Sequence, residues 1–217
     1  MKRYLSVFAI MAALAVATAP AQAQAQAQAD ILTDMVLGKP DAPLTIIEYA
    51  SLACSHCANF HENTLPRLKA EYIDTGKVRL VFRDFPFEEA GLRAAMLARC
   101  SGPDRFFGFI EILFRQQRIW AAAPNPVEAL GQIGRLGGIG EEQFRACLAN
   151  RPLEEYILKS RLKGQNESGV NSTPTFIIGS EKYSGTRSFE DMKKLIDPLL
   201  TPKKSSMIGD GPVAPRS

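Results

Sequence analysis

Residues 44–57 read LTIIEYASLACSHC, a Cys-x-x-Cys pair directly behind an apolar run. The run follows Pro43, is rich in β-branched residues and carries one acid, Glu48, as expected of a buried strand. Helical composition follows the second cysteine. A sulfur at the start of a helix faces unpaired backbone N–H groups and the positive end of the helix dipole, and both favour its thiolate. The pattern therefore predicts redox chemistry between Cys54 and Cys57, with Cys54 as the nucleophile.

His56 lies between the two cysteines, where its protonated ring would add positive charge beside Cys54. Such surroundings lower a thiol pKa from about 8.5 to roughly 3.5–7.5. Zinc binding is the alternative, because Cys54, Cys57 and His61 could supply three ligands, with a fourth from distant sequence. We interpret His61 instead as a packed or surface histidine on the helical face of Cys57. A purely structural disulfide of this spacing would be strained and labile, so the redox interpretation is favoured, with no metal and no cofactor.

The spacing of apolar residues and the positions of glycine and proline predict strands and helices in an α/β order. A long helical stretch interrupts that order. The first strand–helix–strand unit has the size of a βαβ crossover. Ser188 is expected to cap the last helix. The predicted strands are 44–51, 78–83, 175–179 and 182–183. The predicted helices are 58–72, 88–100, 104–117, 126–136, 141–149, 153–164 and 188–200.

The N-terminus has the pattern of a secretory signal peptide. Lys2 and Arg3 precede an apolar run over 4–16, and small residues with overlapping Ala-x-Ala cleavage choices follow. A membrane anchor is disfavoured because the run is shorter than the roughly 20 residues that a bilayer span needs. We therefore expect residues 1–29 to be removed and the protein to reach a compartment where disulfides persist.

The other end of the chain, residues 201–217, contains lysines, serines, glycines and prolines without a hydrophobic period, and is predicted to be a flexible tail. The two ends together carry a net charge of +4, more than the +3 of the whole chain, so the remainder is near −1. The part between them is close to neutral, which does not support a surface for nucleic acid or anionic membranes.

A second cysteine pair lies in the predicted helical stretch. Cys100 shares an apolar helix face with Leu92 and Met96, and Cys147 follows Phe144 on another such face. In an oxidising compartment these sulfurs are expected to form a structural disulfide, to which the chain-entropy model assigns about 4 kcal/mol. Two separate buried thiols are the alternative.

The sequence resembles the DsbA family of periplasmic thiol–disulfide oxidoreductases over residues 44–200. The segments that carry the resemblance are 46–57, 72–86 and 169–177. The resemblance implies an α/β protein with a thioredoxin-like fold and an inserted all-helical domain. The corresponding division is a thioredoxin-like domain over 30–87 and 169–200, and a helical insertion over 88–168.

The resemblance also implies a role for each matching residue near the cysteines. Cys54 would be the exposed nucleophile that forms the mixed disulfide, and Cys57 the more buried resolving cysteine. His56 would tune the Cys54 thiolate. Glu48 falls where the family carries a buried acid, which could relay protons to Cys57 and whose pKa burial would raise. A solvent-facing glutamate at a strand edge is the alternative for Glu48.

Thr173 and Pro174 match the cis-proline loop of the family. That loop would hold the Thr173 backbone beside Cys54, where an extended substrate could pair with it as a strand. An ordinary turn before a strand is the alternative. Ser55 stands where well-known members have proline, and threonine before the cis-proline also occurs in isomerase and reductase relatives.

The expected function is that of a periplasmic dithiol oxidase. Its partners would be reduced or unfolded exported proteins and a membrane quinone-linked oxidoreductase of the DsbB type, with no nucleic acid. An isomerase or reductase kept in the reduced state is the alternative in the same class. A non-catalytic metal-binding or partner-binding module is the alternative from another class. A monomer is expected, because dimeric isomerases carry an N-terminal dimerisation domain and too few residues precede the first predicted strand to form one.

Overall fold

The computed structural model of the protein describes residue 26 and residues 28–201. Most of the predicted signal peptide and the predicted tail beyond residue 201 lie outside the described residues. Residues 28–30 are helical. The side-chain amide of Gln28 exchanges hydrogen bonds of 3.4 and 3.0 Å with Asn150, so this short segment contacts the helical part of the protein.

A mixed sheet forms the centre of the fold, with strand order β1-β3-β2-β4-β5. β2 and β3 run parallel, as a βαβ crossover requires, and the other pairs are antiparallel. Four of these strands were predicted, whereas β1 was missed because its three residues are too few to show a period. The strands are β1 Met35–Leu37, β2 Leu44–Ala50, β3 Val78–Asp84, β4 Thr175–Ile178 and β5 Glu181–Ser184.

Helices connect the strands in the predicted order, with the long helical stretch between β3 and β4. The predicted cap of the last helix is confirmed, because the Ser188 side chain accepts a hydrogen bond from the backbone N–H of Asp191. The helices are α1 Ser55–Asn63, α2 Leu65–Leu68 with a π-helical turn Lys69–Ile73, α3 Glu89–Cys100, α4 Pro103–Arg115, α5 Gln117–Trp120, α6 Pro126–Leu136, α7 Glu141–Leu148, α8 Arg151–Ser168 and α9 Phe189–Leu200.

The predicted helix over 58–72 is divided at Thr64. Pro66 lies in the first turn of α2, where its missing N–H is tolerated. The Thr64 side chain does not cap that helix; its hydroxyl donates to the carbonyl oxygen of Arg187 at 2.8 Å. The hydroxyl therefore ties the α1–α2 junction to the segment before α9.

Both faces of the sheet are covered. On one face, Phe60 of α1 and Met192 of α9 belong to a buried cluster with Phe176 of β4. On the other face, Gly164 of α8 lies against Tyr49 of β2, and a Cβ at Gly164 would come within 2.5 Å of the tyrosine ring. Glycine at this position therefore lets α8 pack closely on the sheet.

The helical stretch carries two further features. The sulfurs of Cys100 and Cys147 are bonded at 2.05 Å, which joins the end of α3 to α7. None of the helices within the described residues is long and apolar enough to cross a membrane.

A buried ion pair joins β3 to α3. Arg99 Nε lies 2.5 Å from Asp84 Oδ2, and both side chains are buried. The same guanidinium donates to the carbonyl oxygens of Ile31 and Thr33 at 2.9 and 2.8 Å. Burial raises the pKa of Asp84, and the positive charge of Arg99 opposes that rise. Arg99 thus connects the sheet, the first helix after β3 and the N-terminal segment.

Replacement of Arg99 by methionine is expected to destabilise the protein strongly, because it leaves the Asp84 carboxylate buried without its partner. We expect Arg99→Met to lower the free energy of unfolding by about 3–5 kcal/mol, measured by denaturant titration. Lys159→Met, which breaks an exposed pair with Glu155, is the control and should cost about 0–1 kcal/mol. Equal losses in the two variants would contradict the role assigned to Arg99.

Candidate active site

Cys54 occupies the N-cap of α1 at the carboxyl end of β2. Its carbonyl oxygen accepts hydrogen bonds from the backbone N–H groups of Cys57 and Ala58, both at 3.1 Å, which begins the helix. Its own N–H donates to the carbonyl oxygen of Ser51, so the turn after β2 is fixed at both ends. The half-buried sulfur therefore lies at the positive end of α1, as the sequence predicted.

The surroundings of Cys54 strongly favour its thiolate. A hydrogen bond from the Cys57 thiol is the largest cause that lowers the pKa of Cys54 from 9.0 to about 5. Partial burial opposes this effect. The Thr173 side chain and the backbone amides of Cys57 and His56 add further hydrogen bonds that lower the pKa. At neutral pH, Cys54 is therefore almost entirely a thiolate.

Cys57 has the opposite environment. Its side chain is fully buried among residues that join the sheet to the helical stretch. Burial, the hydrogen bond to Cys54 and the negative charge of Glu48 all raise the pKa of Cys57 well above its ordinary value. One cysteine of the pair thus favours the thiolate, while the other favours the protonated thiol.

The loop before β4 reaches Cys54 because β4 is antiparallel to β2. Thr175, the first residue of β4, is paired with Tyr49 near the end of β2, so the residues before β4 lie beside the start of α1. The Thr173–Pro174 peptide bond is cis. The Cys54 sulfur lies 3.3 Å from the carbonyl oxygen of Thr173, a hydrogen bond that only the protonated thiol can make.

Glu48 is buried under α1 rather than exposed at a strand edge. Its two carboxylate oxygens lie 3.1 and 3.0 Å from His61 Nε2. Its neighbours in register are Phe82 on β3 and Phe176 on β4, so apolar side chains flank it within the sheet. His61 is therefore a buried partner of the acid, which the sequence did not reveal.

The His56 side chain is exposed at the start of α1. Its carbonyl oxygen accepts a hydrogen bond from the Thr186 hydroxyl at 3.2 Å, which fixes the first turn of the helix. The contribution of His56 to the low pKa of Cys54 comes from its backbone amide.

Two residues near Cys54 were not selected from the sequence. Gln117 is buried in α5, and its amide nitrogen donates to the carbonyl oxygens of Leu52 and Cys54 at 2.6 and 3.0 Å. Glu88 lies on the other side, where burial and then the charge of Cys54 raise its pKa. Both residues are more than 30 positions from Cys54 in the sequence, and neither belongs to a short motif that would have identified it.

A shallow cavity of about 300 Å³ lies beside the Cys54 sulfur. Phe87 and Glu88 form one side of it and Thr173 forms the other. Nearly half of the Phe87 side chain is exposed to solvent. The cavity therefore offers an apolar ring and the backbone of the cis-proline loop close to the reactive sulfur.

The zinc interpretation can be compared with this geometry. Within the described part of the chain, no three His, Cys, Asp or Glu side chains are grouped as a metal site would require. The Nε2 atom of His61, one of the three suggested ligands, is directed at Glu48.

Comparison with known proteins agrees with the fold. A family model described as thioredoxin matches residues 30–198. A Rickettsia felis protein named as a protein-disulfide oxidoreductase is 34% identical over 172 residues, which cover 79% of this chain and 62% of that protein. The crystal structure of Wolbachia pipientis alpha-DsbA1 has 32% identity and a TM-score of 0.73, covering 77% of this chain and 91% of that one. The chain belongs to the DsbA family.

DsbA membership confirms the predicted thioredoxin-like fold with its helical domain between β3 and β4. The relation extends to more distant bacteria: disulfide bond formation protein D of Bacillus subtilis is 27% identical over 180 residues, or 77% of this chain and 78% of that protein. The chain spans only 56–64% of the length of the rickettsial relatives. The division into domains 30–87, 88–168 and 169–200 stays a prediction.

In this DsbA protein, the ultraviolet absorbance of the Cys54 thiolate is expected to titrate with a midpoint at pH about 5. Thr173→Val removes the hydroxyl at nearly constant shape and should move the midpoint upward, because one hydrogen bond to the thiolate is lost. Thr186→Val is the control, since that hydroxyl bonds the His56 carbonyl instead. A midpoint shared by the two variants would contradict the contribution assigned to Thr173.

Proposed function

We propose that this protein is an exported thiol–disulfide oxidoreductase that donates its Cys54–Cys57 disulfide to the thiols of other proteins. The observation that carries the proposal is the position of the two sulfurs, with Cys54 half-buried at the N-cap of α1 and Cys57 fully buried one turn further on, which lowers the pKa of Cys54 and raises that of Cys57. A stabilised Cys54 thiolate favours the reduced form of the protein, and this makes its disulfide a stronger oxidant.

The reaction proceeds by two exchanges. A substrate thiolate attacks the Cys54 sulfur, an S–S bond forms between them, and the Cys54–Cys57 bond breaks with its electron pair on Cys57. A second substrate thiolate then attacks the substrate sulfur of the mixed disulfide and releases Cys54 as a thiolate. The substrate loses two electrons and two protons. Cys57 takes one proton and the other enters solvent.

Glu48 and the buried position of Cys57 support the proton step. The Cys57 sulfur leaves into an apolar environment where its thiolate is unfavourable, because burial and the charge of Glu48 raise its pKa. In this proposal the Glu48 carboxyl, which is buried and acts electrostatically on Cys57, passes a proton to the sulfur as the S–S bond breaks. Glu48 is therefore the proposed acid and base for Cys57.

Substrate binding is assigned to the surface beside Cys54. An extended peptide would pair with the backbone of Thr173 and direct an apolar side chain towards Phe87. The exposed imidazole of His56 would meet the peptide on the helix side. Pairing through the backbone depends little on the sequence of the substrate. This suits a protein that acts on many unfolded or reduced exported chains.

The cellular setting follows from this chemistry as part of the proposal. The periplasm would keep such a disulfide oxidised, and a DsbB-type quinone oxidoreductase of the membrane would regenerate it after each cycle. The protein would act as a monomer, which light scattering of the purified chain can test.

The direction of electron flow can be tested with the oxidised protein and a reduced, unfolded substrate. Rapid substrate oxidation is expected, with loss of activity in Cys54→Ala and an equilibrium potential against glutathione well above the ~−270 mV of thioredoxin. A potential near that of thioredoxin, with rapid reduction of insulin, would favour the reductase instead.

The reduced protein should become more stable relative to the oxidised protein as pH rises from about 5 to 9. The pKa of Cys54 is about 5 when folded and ordinarily 9.0, so stabilisation is complete above the ordinary value and lost as pH falls through about 5. Thermal unfolding of both redox forms across this range measures the difference. Cys54→Ser, which cannot form the disulfide, is the control for the reduced wild type, and an equally steep pH dependence of its stability would contradict the assignment.

A further inference from the structure

A second cavity borders α1 and does not include Cys54 in its lining. It has a volume of about 570 Å³ and is open to solvent between α1, α2 and α4. Pro66 and Lys69 form one wall, while Gly108 and Phe114 form the other. His61 reaches this cavity from inside the protein, so the buried partner of Glu48 also borders a space that solvent can enter.

The environment of Glu48 directs its proton exchange towards His61. Glu48 is fully buried, with Phe82 and Phe176 beside it in the sheet. Phe60 packs on Phe176 with ring centroids 4.6 Å apart. The rings of His61 and Phe82 are also neighbours, with centroids 5.9 Å apart. Among the described residues, His61 is the only polar side chain with a hydrogen bond to the Glu48 carboxylate.

The groups that face His61 come from several elements. Its own helix contributes Glu62 to the same cavity, and the ring of Phe114 on α4 packs against the imidazole with ring centroids 4.4 Å apart. Three of the charged side chains that line the cavity have ion-pair partners, Arg115 with Glu111 within the lining and Lys69 with Asp74 outside it, at 2.6 Å. The titratable and charged groups that contact His61 or line the cavity with it are Glu48, Glu62, Lys69, Glu111 and Arg115.

We propose that His61 relays protons between Glu48 and the solvent of this cavity. The inference rests on the proposed oxidase chemistry and adds its proton route. When Glu48 gives its proton to the departing Cys57 sulfur, His61 passes a proton from its Nε2 side to the carboxylate and takes one from cavity water. Reoxidation runs the same transfers in reverse, so no proton needs to cross the surface that the bound substrate covers.

Removal of the imidazole should slow the steps that protonate Cys57 without changing the Cys54 thiolate. In His61→Ala, we expect reduction of the protein disulfide at neutral pH to be about tenfold slower, since general acid–base transfers of this kind contribute such factors or more. The absorbance midpoint of Cys54 should stay at about 5. Imidazole added to the solvent should restore the rate in proportion to its concentration, because it can enter through the cavity.

His61→Gln separates the relay from a structural role. Glutamine can donate a hydrogen bond to Glu48 and fill the space, but it cannot exchange a proton at neutral pH. We expect this variant to unfold like the wild type and yet to reduce its disulfide as slowly as His61→Ala, and with a pH dependence that differs from that of the wild type. A wild-type rate and pH profile in folded His61→Gln would overturn the relay.

The route through the cavity has its own test at Gly108. A Cβ at this position meets nothing within 4 Å, so Gly108→Ala should be harmless, whereas Gly108→Leu should fill the entrance. In the His61→Ala background, imidazole rescue should survive with alanine and be lost with leucine. Equal rescue in both would overturn the route.

The relay and the proposed function fail in different ways. If wild-type protein oxidises substrate thiols and Cys54→Ala does not, the function stands whatever the His61 variants do. Glu48→Gln should lose as much rate as His61→Ala, the double variant should lose no more than either, and imidazole should not rescue it. Additive losses would show that the two residues act separately and would overturn the relay.

Discussion

The position of the first turn of α1 on the end of β2 is the constraint on which the site depends. One turn of helix separates Cys54, at the N-cap, from Cys57, inside the core, and this short distance carries the two sulfurs from a surface rich in N–H donors to an apolar interior. The same turn therefore gives one low and one high pKa. A disulfide between such unlike sulfurs has a defined polarity, because only the outer one is both open to attack and stable as a thiolate.

The rest of the fold holds this turn in place from several sides. Gln117 supports the backbone of Cys54 from the helical stretch, and Thr186 supports the carbonyl of His56 from the segment before α9. The antiparallel pairing of β4 with β2 brings in the Thr173 loop. The helical stretch therefore takes part in the site directly, since Gln117 donates a hydrogen bond to the carbonyl oxygen of Cys54.

The sequence was sufficient for the parts of the structure that are local. The strand before the cysteines, the N-terminal placement of Cys54, the Ser188 cap and the interrupted α/β order all depend on residues close together in the chain. Strand β1 was missed because it is short and is held by pairing with β3. The Glu48–His61 pair was missed because it requires the packing of α1 over β2, and an isolated histidine in a helix gives no signal of its partner.

The buried acid places a demand on the fold that the cysteines alone do not reveal. In the proposed cycle Glu48 exchanges protons and so needs a contact that can supply them, yet its side chain is fully buried among aromatic rings. One imidazole between the acid and a cavity open to solvent meets both requirements, since it separates the carboxylate from the cavity while keeping a hydrogen-bonded contact to it. On this view, the phenylalanines around Glu48 and the opening beside His61 form a single arrangement, in which packing selects the path that the proton takes.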